Sequence, residues 1–227
     1  MGFNERVHAY IAAKYYTYLV ETFGERGRLA FVHGTQYYAS QRGRRMAQRA
    51  IRDGAPLTQA SYNYYGEWVN TEESKAEGIA NQSEKTPEGY TKITRCPWHT
   101  QFVEMGCPEA GAEYCRHLDA SISRGFNPYL GYVVDQTLHE ADCCIHRLTS
   151  GPISEGSEKG KNPAGLKSFE YHCAHSFWAY HEVTAAIFQS EGEKVNQLVL
   201  KDFVRDYGKE MADTLWSYRA VNFNVCD

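Results

Sequence analysis

The sequence predicts an α+β fold, in which helices pack on a small antiparallel β-sheet and long helices form the N- and C-terminal parts. Large apolar residues recur every three or four positions near both ends of the chain, which is typical of amphipathic helices. Two short central segments instead alternate apolar and polar residues, which is typical of a hairpin. A chain of 227 residues can bury one core, so we expect a single domain over residues 1–227.

Residues 1–70 are the predicted helical N-terminal part, with helices over 6–23, 26–51 and 58–69. Gly24 follows the first periodic segment and Asp53-Gly54 follows the second, and such glycines end helices. The basic run from Arg42 to Arg52 lies in the second helix, and its charge predicts an exposed helix surface. Residues 71–89 are polar, contain few large apolar side chains and predict a loop.

Residues 90–149 contain most of the cysteines and form the predicted Cys-rich α/β core. Tyrosine, threonine and isoleucine predict a strand over 90–96 that ends at Pro97. Helices over 99–105 and 109–124 come next, and the strands of the hairpin follow over 129–138 and 143–149.

Residues 150–168 are rich in Gly, Ser, Lys and Pro and predict a mobile connection, a candidate flap over a site. A C-terminal helical pair is predicted over 169–220. In its second helix, apolar residues recur every four positions and predict a buried stripe: Val195, Val199, Phe203, Tyr207, Met211 and Leu215.

Composition and charge favour a small-molecule partner. The formal charge of -4 lacks the large positive field that nucleic acid attracts, and no segment is apolar over the length of a membrane span. Seven cysteines, two of them adjacent, indicate a reduced, cytoplasmic protein. The 17 tyrosines suit a pocket or a subunit interface, so we also expect a homo-oligomer. No HExxH, Walker, GxGxxG or GxSxG motif is present, which excludes several large enzyme classes.

The predicted helix over 109–124 places a thiol beside a carboxylate. Ala112, Cys115, Asp119 and Ile122 share one face, because offsets of three, four and seven residues return to the same side of a helix. A carboxylate in that position can exchange a proton with a sulfur atom or with a substrate. The alternative is that Cys115 is a small core residue and that Asp119 accepts a hydrogen bond from a backbone amide.

Three further cysteines have candidate roles. Cys96 ends a strand just before a helix, where the helix dipole favours a thiolate, and its Cys-x-x-His spacing to His99 also suits a zinc ion. Cys143 and Cys144 must face opposite sides of the sheet. If Cys144 points the same way as His146, Asp142 does too. In each case a packing role is the alternative.

The predicted helix that starts near Phe169 carries His172, His175 and Glu182 within one sector, with His181 opposite. Such a sector can supply metal ligands or a proton relay. A helix surface that contacts the preceding polar loop explains the same pattern.

Several of these motifs together resemble the L-2-amino-thiazoline-4-carboxylic acid hydrolase family. The resemblance spans roughly residues 90–148, and the segments at 38–43 and 222–226 also look like longer members. The sequence departs from the family pattern at Ile145 and His146, where an acidic residue and an aromatic one are expected. The segments that carry the resemblance are Cys96-Pro97, Gly106-Cys107-Pro108-Glu109, Cys115-x-x-x-Asp119, Gly125-Phe126-Asn127-Pro128, Thr137-Leu138 and Asp142-Cys143-Cys144-Ile145-His146-Arg147.

The resemblance implies hydrolysis of a small five-membered ring, such as a thiazoline, hydantoin or thiohydantoin, at the carbon between two heteroatoms, so that the ring is opened or loses its sulfur. In one route a thiolate of Cys115 or Cys144 adds to that carbon, and Asp119 or His99 transfers protons. In the other, Asp119 or a metal ion activates water directly. The predicted catalytic residues are Cys115, Asp119, Cys144, Cys96 and His99. The predicted substrate-binding residues are Arg95, Asn127, Arg147 and His175, and Arg124 is a further candidate anchor for a carboxylate.

No cofactor is firmly indicated by the sequence. A divalent metal such as zinc is the candidate, with Cys96, Cys115, Cys144 and His172 as its ligands. The alternative function is a non-enzymatic sensor that binds a small molecule or a metal in the same thiol-rich pocket.

Overall fold

The computed structural model describes residues 2–149 and 160–226, and within them the chain is mostly helical with one small sheet. The α+β class is therefore confirmed, including the long terminal helices. The helices are α1 (Glu5–Phe23), α2 (Glu25–Arg52), α3 (Gln59–Tyr64), α4 (Glu72–Ala76), α5 (Pro97–Glu104), α6 (Pro108–Phe126), α7 (Phe169–Tyr207) and α8 (Lys209–Ser217). The strands are β1 (Gln82–Lys85), β2 (Thr91–Arg95), β3 (Tyr132–Gln136) and β4 (Cys144–Leu148).

The sheet has the order β1-β2-β4-β3, and every neighbouring pair is antiparallel. The predicted β3–β4 hairpin is confirmed. Ile93 of β2 pairs with Cys144 of β4, and Thr91 pairs with His146. Because directly paired residues in a sheet project to the same side, these four side chains share one face.

Helix α1 forms the centre of the core, and its apolar and aromatic residues are buried along most of its length. Helices α2 and α6 pack together at a contact between backbones. A Cβ atom on Gly43 would lie 2.0 Å from the carbonyl oxygen of Ile122, and one on Gly125 would lie 2.4 Å from that of Ser40. The two glycines therefore allow a spacing between α2 and α6 that larger residues would prevent.

Helix α7 changes direction at Gln189, which has φ 52° and ψ -126°. Its two halves then lie against each other, since Asn196 Nδ2 donates to the carbonyl oxygen of His181 at 3.2 Å. The predicted C-terminal stripe is buried at Val195, Val199, Phe203 and Leu215. It is not one helix, however, because Gly208, at φ 87°, separates α7 from α8.

The predicted loop over 71–89 was wrong in part, because it contains α4 and β1. Both elements are short and polar and have no apolar periodicity to reveal them. Helix α4 is attached to α1 by the buried Glu5 carboxylate, which accepts hydrogen bonds from Thr71 N at 2.8 Å and Ser74 Oγ at 2.7 Å. The third predicted helix also ends earlier, at Tyr64.

The first ten residues of the candidate flap over 150–168, positions 150–159, lie outside the described residues. Its last part, residues 160–168, contacts the loop that follows α3. Asn162 N donates to Tyr64 O at 2.7 Å, and Lys167 N donates to Glu67 O at 2.8 Å. In the described part of the chain, no helix is both long enough and apolar enough to span a membrane.

The interpretation of the basic run at 42–52 as a helix surface was wrong for three of its arginines. Arg42, Arg45 and Arg49 are only 6%, 0% and 2% exposed. Their spacing places them on one face of α2, and that face is turned inward. Arg45 and Arg49 donate to the buried Glu67 carboxylate, which offsets much of the cost of burying their charges.

Candidate functional site

A cavity of about 290 Å³ lies between α2, α6, the sheet and the segment that starts at residue 160. This volume suits a small molecule. Its polar groups come from several helices, from the sheet and from Lys161, and aromatic and aliphatic side chains complete its walls. The residues that line it include Arg42, Met46, Tyr62, Trp68, Cys96, Trp98, Tyr114, Cys115, Leu118, Asp119, Ile122, Tyr132, Cys144, His146 and Lys161.

Helix α6 contributes Tyr114, Cys115, Leu118, Asp119 and Ile122 to the cavity. The shared face of Cys115, Asp119 and Ile122 agrees with the helical spacing, whereas Ala112 is not among the lining residues. Burial, followed by the neighbouring charges of Cys96, Cys144 and Asp119, raises the pKa of the Cys115 thiol well above its ordinary value. Cys115 is therefore protonated at neutral pH.

Strand β4 contributes Cys144 and His146, which point the same way because they are two residues apart. Burial raises the pKa of Cys144 to about 12, although its sulfur accepts a hydrogen bond from Leu138 N at 3.3 Å. Tyr132 Oη lies 2.7 Å from His146 Nδ1, so the tyrosine orients the imidazole. Asp142 does not line the cavity, since β4 begins only at Cys144 and strand alternation does not extend back to it.

Cys96 caps the N-terminus of α5, as the sequence predicts. The backbone amides of His99 and Trp98 and the side chain of Asn81 all lower the pKa of its thiol, but burial has the larger effect and raises that pKa to about 11. The backbone amides at the helix terminus therefore offset part of the effect of burial on this thiol.

The structure places the predicted substrate-binding residues away from the cavity. Arg95 Nη1 donates to Gly78 O at 2.6 Å, and Arg147 forms an exposed ion pair with Asp135 at 2.6 Å. Asn127 Nδ2 donates to Leu57 O at 2.8 Å. Arg124 donates to Ser121 Oγ at 3.0 Å. Among the residues that the structure describes, the cations that line the cavity are Arg42 and Lys161. Neither was selected from the sequence.

The predicted histidines also lie elsewhere. The His99 ring stacks edgewise on His139, with 4.6 Å between ring centroids. His172 Nε2 is 3.1 Å from Glu67 O, and His175 Nε2 is 2.8 Å from Gln41 Oε1, so both rings form buried structural contacts.

The predicted zinc ligands are not all brought together, because His172 does not join the three cysteines at the cavity. Among the residues that the structure describes, no group of three or more His, Cys, Asp and Glu side chains has an arrangement that could hold a metal ion.

His8 of α1 also lines the cavity and was not selected from the sequence. Trp98 Nε1 donates to His8 Nδ1 at 2.9 Å, and Tyr38 Oη lies 3.1 Å from His8 Nε2. Burial, followed by the charges of His172 and Arg42, lowers the pKa of His8 well below its ordinary value, so the ring is neutral. Because Trp98 donates to Nδ1, Nε2 carries the hydrogen, and His8 fixes the aromatic wall.

A cavity of this size, lined by thiols, a carboxylate and an imidazole, defines a small-molecule site with reactive side chains. The chain matches the L-2-amino-thiazoline-4-carboxylic acid hydrolase family over residues 4–148, which is more than half of its length. It belongs to that family, and the family name describes a hydrolase. The matched region contains every lining residue named above except Lys161. No match was found among curated proteins or among solved structures.

Proposed function

We propose that the protein hydrolyses a small five-membered heterocycle, a cyclic amidine of the thiazoline type or a related hydantoin or thiohydantoin, by attack at the carbon between two heteroatoms. The observation that carries this proposal is that Cys96, Cys115, Cys144 and Asp119, from separate parts of the chain, line one cavity. Such a site combines candidate nucleophiles with a carboxylate that can move their protons.

Cys96 is the best supported of the three nucleophiles. Three groups stabilise its thiolate, the backbone amides of His99 and Trp98 and the side chain of Asn81, whereas Cys144 has one such donor, the backbone amide of Leu138. Cys115 has no such donor, since every neighbouring charge that acts on it disfavours the thiolate. All three thiols are protonated at neutral pH, so attack requires a base. We assign this role to Asp119, because it is the carboxylate that lines the cavity among the described residues.

The proposed reaction on a 2-aminothiazoline has two halves. In the first, the Cys96 sulfur bonds to the ring carbon, the ring carbon–sulfur bond breaks, and Asp119 carries the thiol proton to the departing sulfur. In the second, water attacks the same carbon, one proton from water reaches the substrate nitrogen, and Asp119 returns the other to Cys96 as the carbon–sulfur bond to the enzyme breaks. The product is a urea with a free thiol, and the enzyme is regenerated.

The test is a mass-resolved assay of ring opening, in which the unmodified protein is compared with Cys96→Ser and Cys107→Ser. Cys107 is a matched control, because it also caps a helix and precedes a proline but does not line the cavity. We expect Cys96→Ser to lose at least about 100-fold in turnover and Cys107→Ser to stay within about twofold. A trapped adduct of one substrate mass on Cys96 supports covalent catalysis.

Two results would reject parts of this proposal. Full activity in Cys96→Ser together with loss of activity in Asp119→Asn would replace the covalent route with direct activation of water by Asp119. Tight ligand binding without turnover by the unmodified protein, across a panel of cyclic amidines, ureas and thioureas, would identify a sensor.

A further inference from the structure

The buried arginines of α2 surround one carboxylate, that of Glu67, and only two of them donate hydrogen bonds to it. Glu67 Oε1 accepts hydrogen bonds from Arg45 Nε at 3.1 Å and from Arg49 Nη1 at 2.6 Å, and Oε2 accepts from Arg45 Nη2 at 2.7 Å. Arg42 Nε remains 3.7 Å from Oε2, too far for a hydrogen bond.

Arg42 therefore carries a buried donor without an acceptor. Its Nε atom is enclosed and makes no hydrogen bond, and its side chain is 8% exposed. Leaving a charged donor unsatisfied in the interior is costly. Arg42 also lines the cavity, and its two Nη atoms make no hydrogen bond to the described residues and are not enclosed, so a ligand in the cavity can reach them. The atoms that can accept hydrogen bonds from them are the oxygens of an anion.

Lys161 adds a second positive charge to the same cavity. The residue as a whole is exposed to solvent, but its Nζ lies so close to Gly66 that a Cβ there would be 2.3 Å away. Burial of the ammonium group, followed by the charge of Arg42, lowers the pKa of Lys161 to about 8. The two cations thus repel each other, and an anion bound between them would relieve that repulsion.

The charges of the cavity leave room for such an anion. Among the described residues that line the cavity, there is one carboxylate, Asp119, and there are two cations, Arg42 and Lys161. One positive charge is in excess, and it lies towards α2 and the segment from residue 160. The thiols of Cys96 and Cys144 come from α5 and β4.

We propose that Arg42 and Lys161 are the residues that bind a carboxylate on the substrate. This inference rests on the proposed function for the identity of the ring. The carboxylate is held at the α2 side, and the ring carbon is directed towards the thiols. The two cations act as specificity-determining residues and take no part in breaking bonds.

The test measures binding instead of turnover. Calorimetry compares the affinity for 2-aminothiazoline-4-carboxylate with the affinity for its uncharged carboxamide. All proteins carry Cys96→Ser, so that no heat of reaction contributes to the signal. The protein without further changes is compared with Arg42→Gln, Lys161→Gln and Lys167→Gln. Lys167 is the matched control, since it lies in the same segment but does not line the cavity. We expect Arg42→Gln to weaken binding of the carboxylate about 10- to 100-fold and Lys161→Gln about tenfold, with the carboxamide changed less than about threefold.

An unchanged ratio of carboxylate to carboxamide affinity in both cavity variants would overturn the inference, as would failure of the carboxylate to bind the unmodified protein. Lys161→Gln keeps the test valid if Arg42→Gln does not fold, because Lys161 lies outside the core. Failure of the proposed reaction would give a different result. Turnover and the covalent adduct would be absent, while the ratio of carboxylate to carboxamide affinity would still change in the Arg42 and Lys161 variants.

Discussion

Replacing Glu67 with glutamine is expected to destabilise the protein strongly. Among the contacts that the structure describes, Glu67 is the one carboxylate that pairs with the buried arginines Arg42, Arg45 and Arg49, and the substitution removes its charge. Glu67 is fully buried and accepts three charge-assisted hydrogen bonds from two of these arginines. Glutamine has a similar shape, but its neutral amide cannot balance buried guanidinium groups, and its NH₂ group would face one of them.

The magnitude follows from the environment of the carboxyl group. Burial alone raises the pKa of Glu67, but the charges of Arg45 and Arg42 and the hydrogen bond from Arg45 outweigh it and lower that pKa to about 2. Compared with an ordinary glutamate, this corresponds to about 3 kcal/mol of stability at neutral pH. Breaking a buried ion pair by removing one partner costs a similar amount, about 3–5 kcal/mol.

The assay is urea denaturation of Glu67→Gln and the unmodified protein between about pH 3.5 and 7. The carboxylate is charged in the folded protein at pH values where it would be protonated in the unfolded chain. Its contribution is therefore complete above about pH 5 and is lost as the pH falls towards 2, so the difference between the two proteins narrows in acid. Glu77→Gln, at an exposed ion pair with Arg6, is the control and should change stability by less than about 0.5 kcal/mol. A loss below about 1 kcal/mol for Glu67→Gln at pH 7, or a loss independent of pH, would refute this reasoning.

Three further substitutions test the packing around the cavity. Gly43→Ala should cost about 2 kcal/mol or more in denaturation experiments, because the new Cβ would meet a backbone oxygen at 2.0 Å; unchanged stability would disprove the close helix contact. Gly66→Ala meets the flexible end of Lys161 at 2.3 Å and the carbonyl oxygen of Asn63 at 3.3 Å, so we expect a loss of stability below about 1 kcal/mol but weaker binding of the ring carboxylate by calorimetry. Trp98→Phe removes the hydrogen bond to His8 and should cost about 1–2 kcal/mol in a urea titration; a neutral effect would mean that Nδ1 finds another donor.

Periodicity predicted most of the fold because the signals are local. The hairpin of β3 and β4, the helix α6 and the cap at Cys96 all depend on residues a few positions apart. Helical spacing also placed Cys115 and Asp119 on one face, and strand alternation placed Cys144 beside His146. Where a local pattern was absent, as in the polar strand β1, the prediction failed, because that strand is defined by its pairing with β2.

The cationic part of the site could not be predicted in this way. A run of arginines in a helix is usually solvated, and what reverses that interpretation here is Glu67, which follows 18 residues after Arg49 and lies outside any helix. The spacing of Arg42, Arg45 and Arg49 on one helix face was the available signal. Lys161 had no signal at all, since it reaches the cavity from a segment rich in glycine and polar residues.

The distance between the cationic and the reactive parts of the site depends on the contact of α2 with α6. Gly43 follows Arg42 directly and faces the carbonyl oxygen of Ile122, which is one helical turn from Asp119. Backbone atoms cannot change rotamer as side chains can, so this contact fixes the position of Arg42 relative to Asp119 more rigidly than side-chain packing would. A substitution at Gly43 should therefore change ring opening as well as stability, although the residue touches neither the cavity nor a substrate.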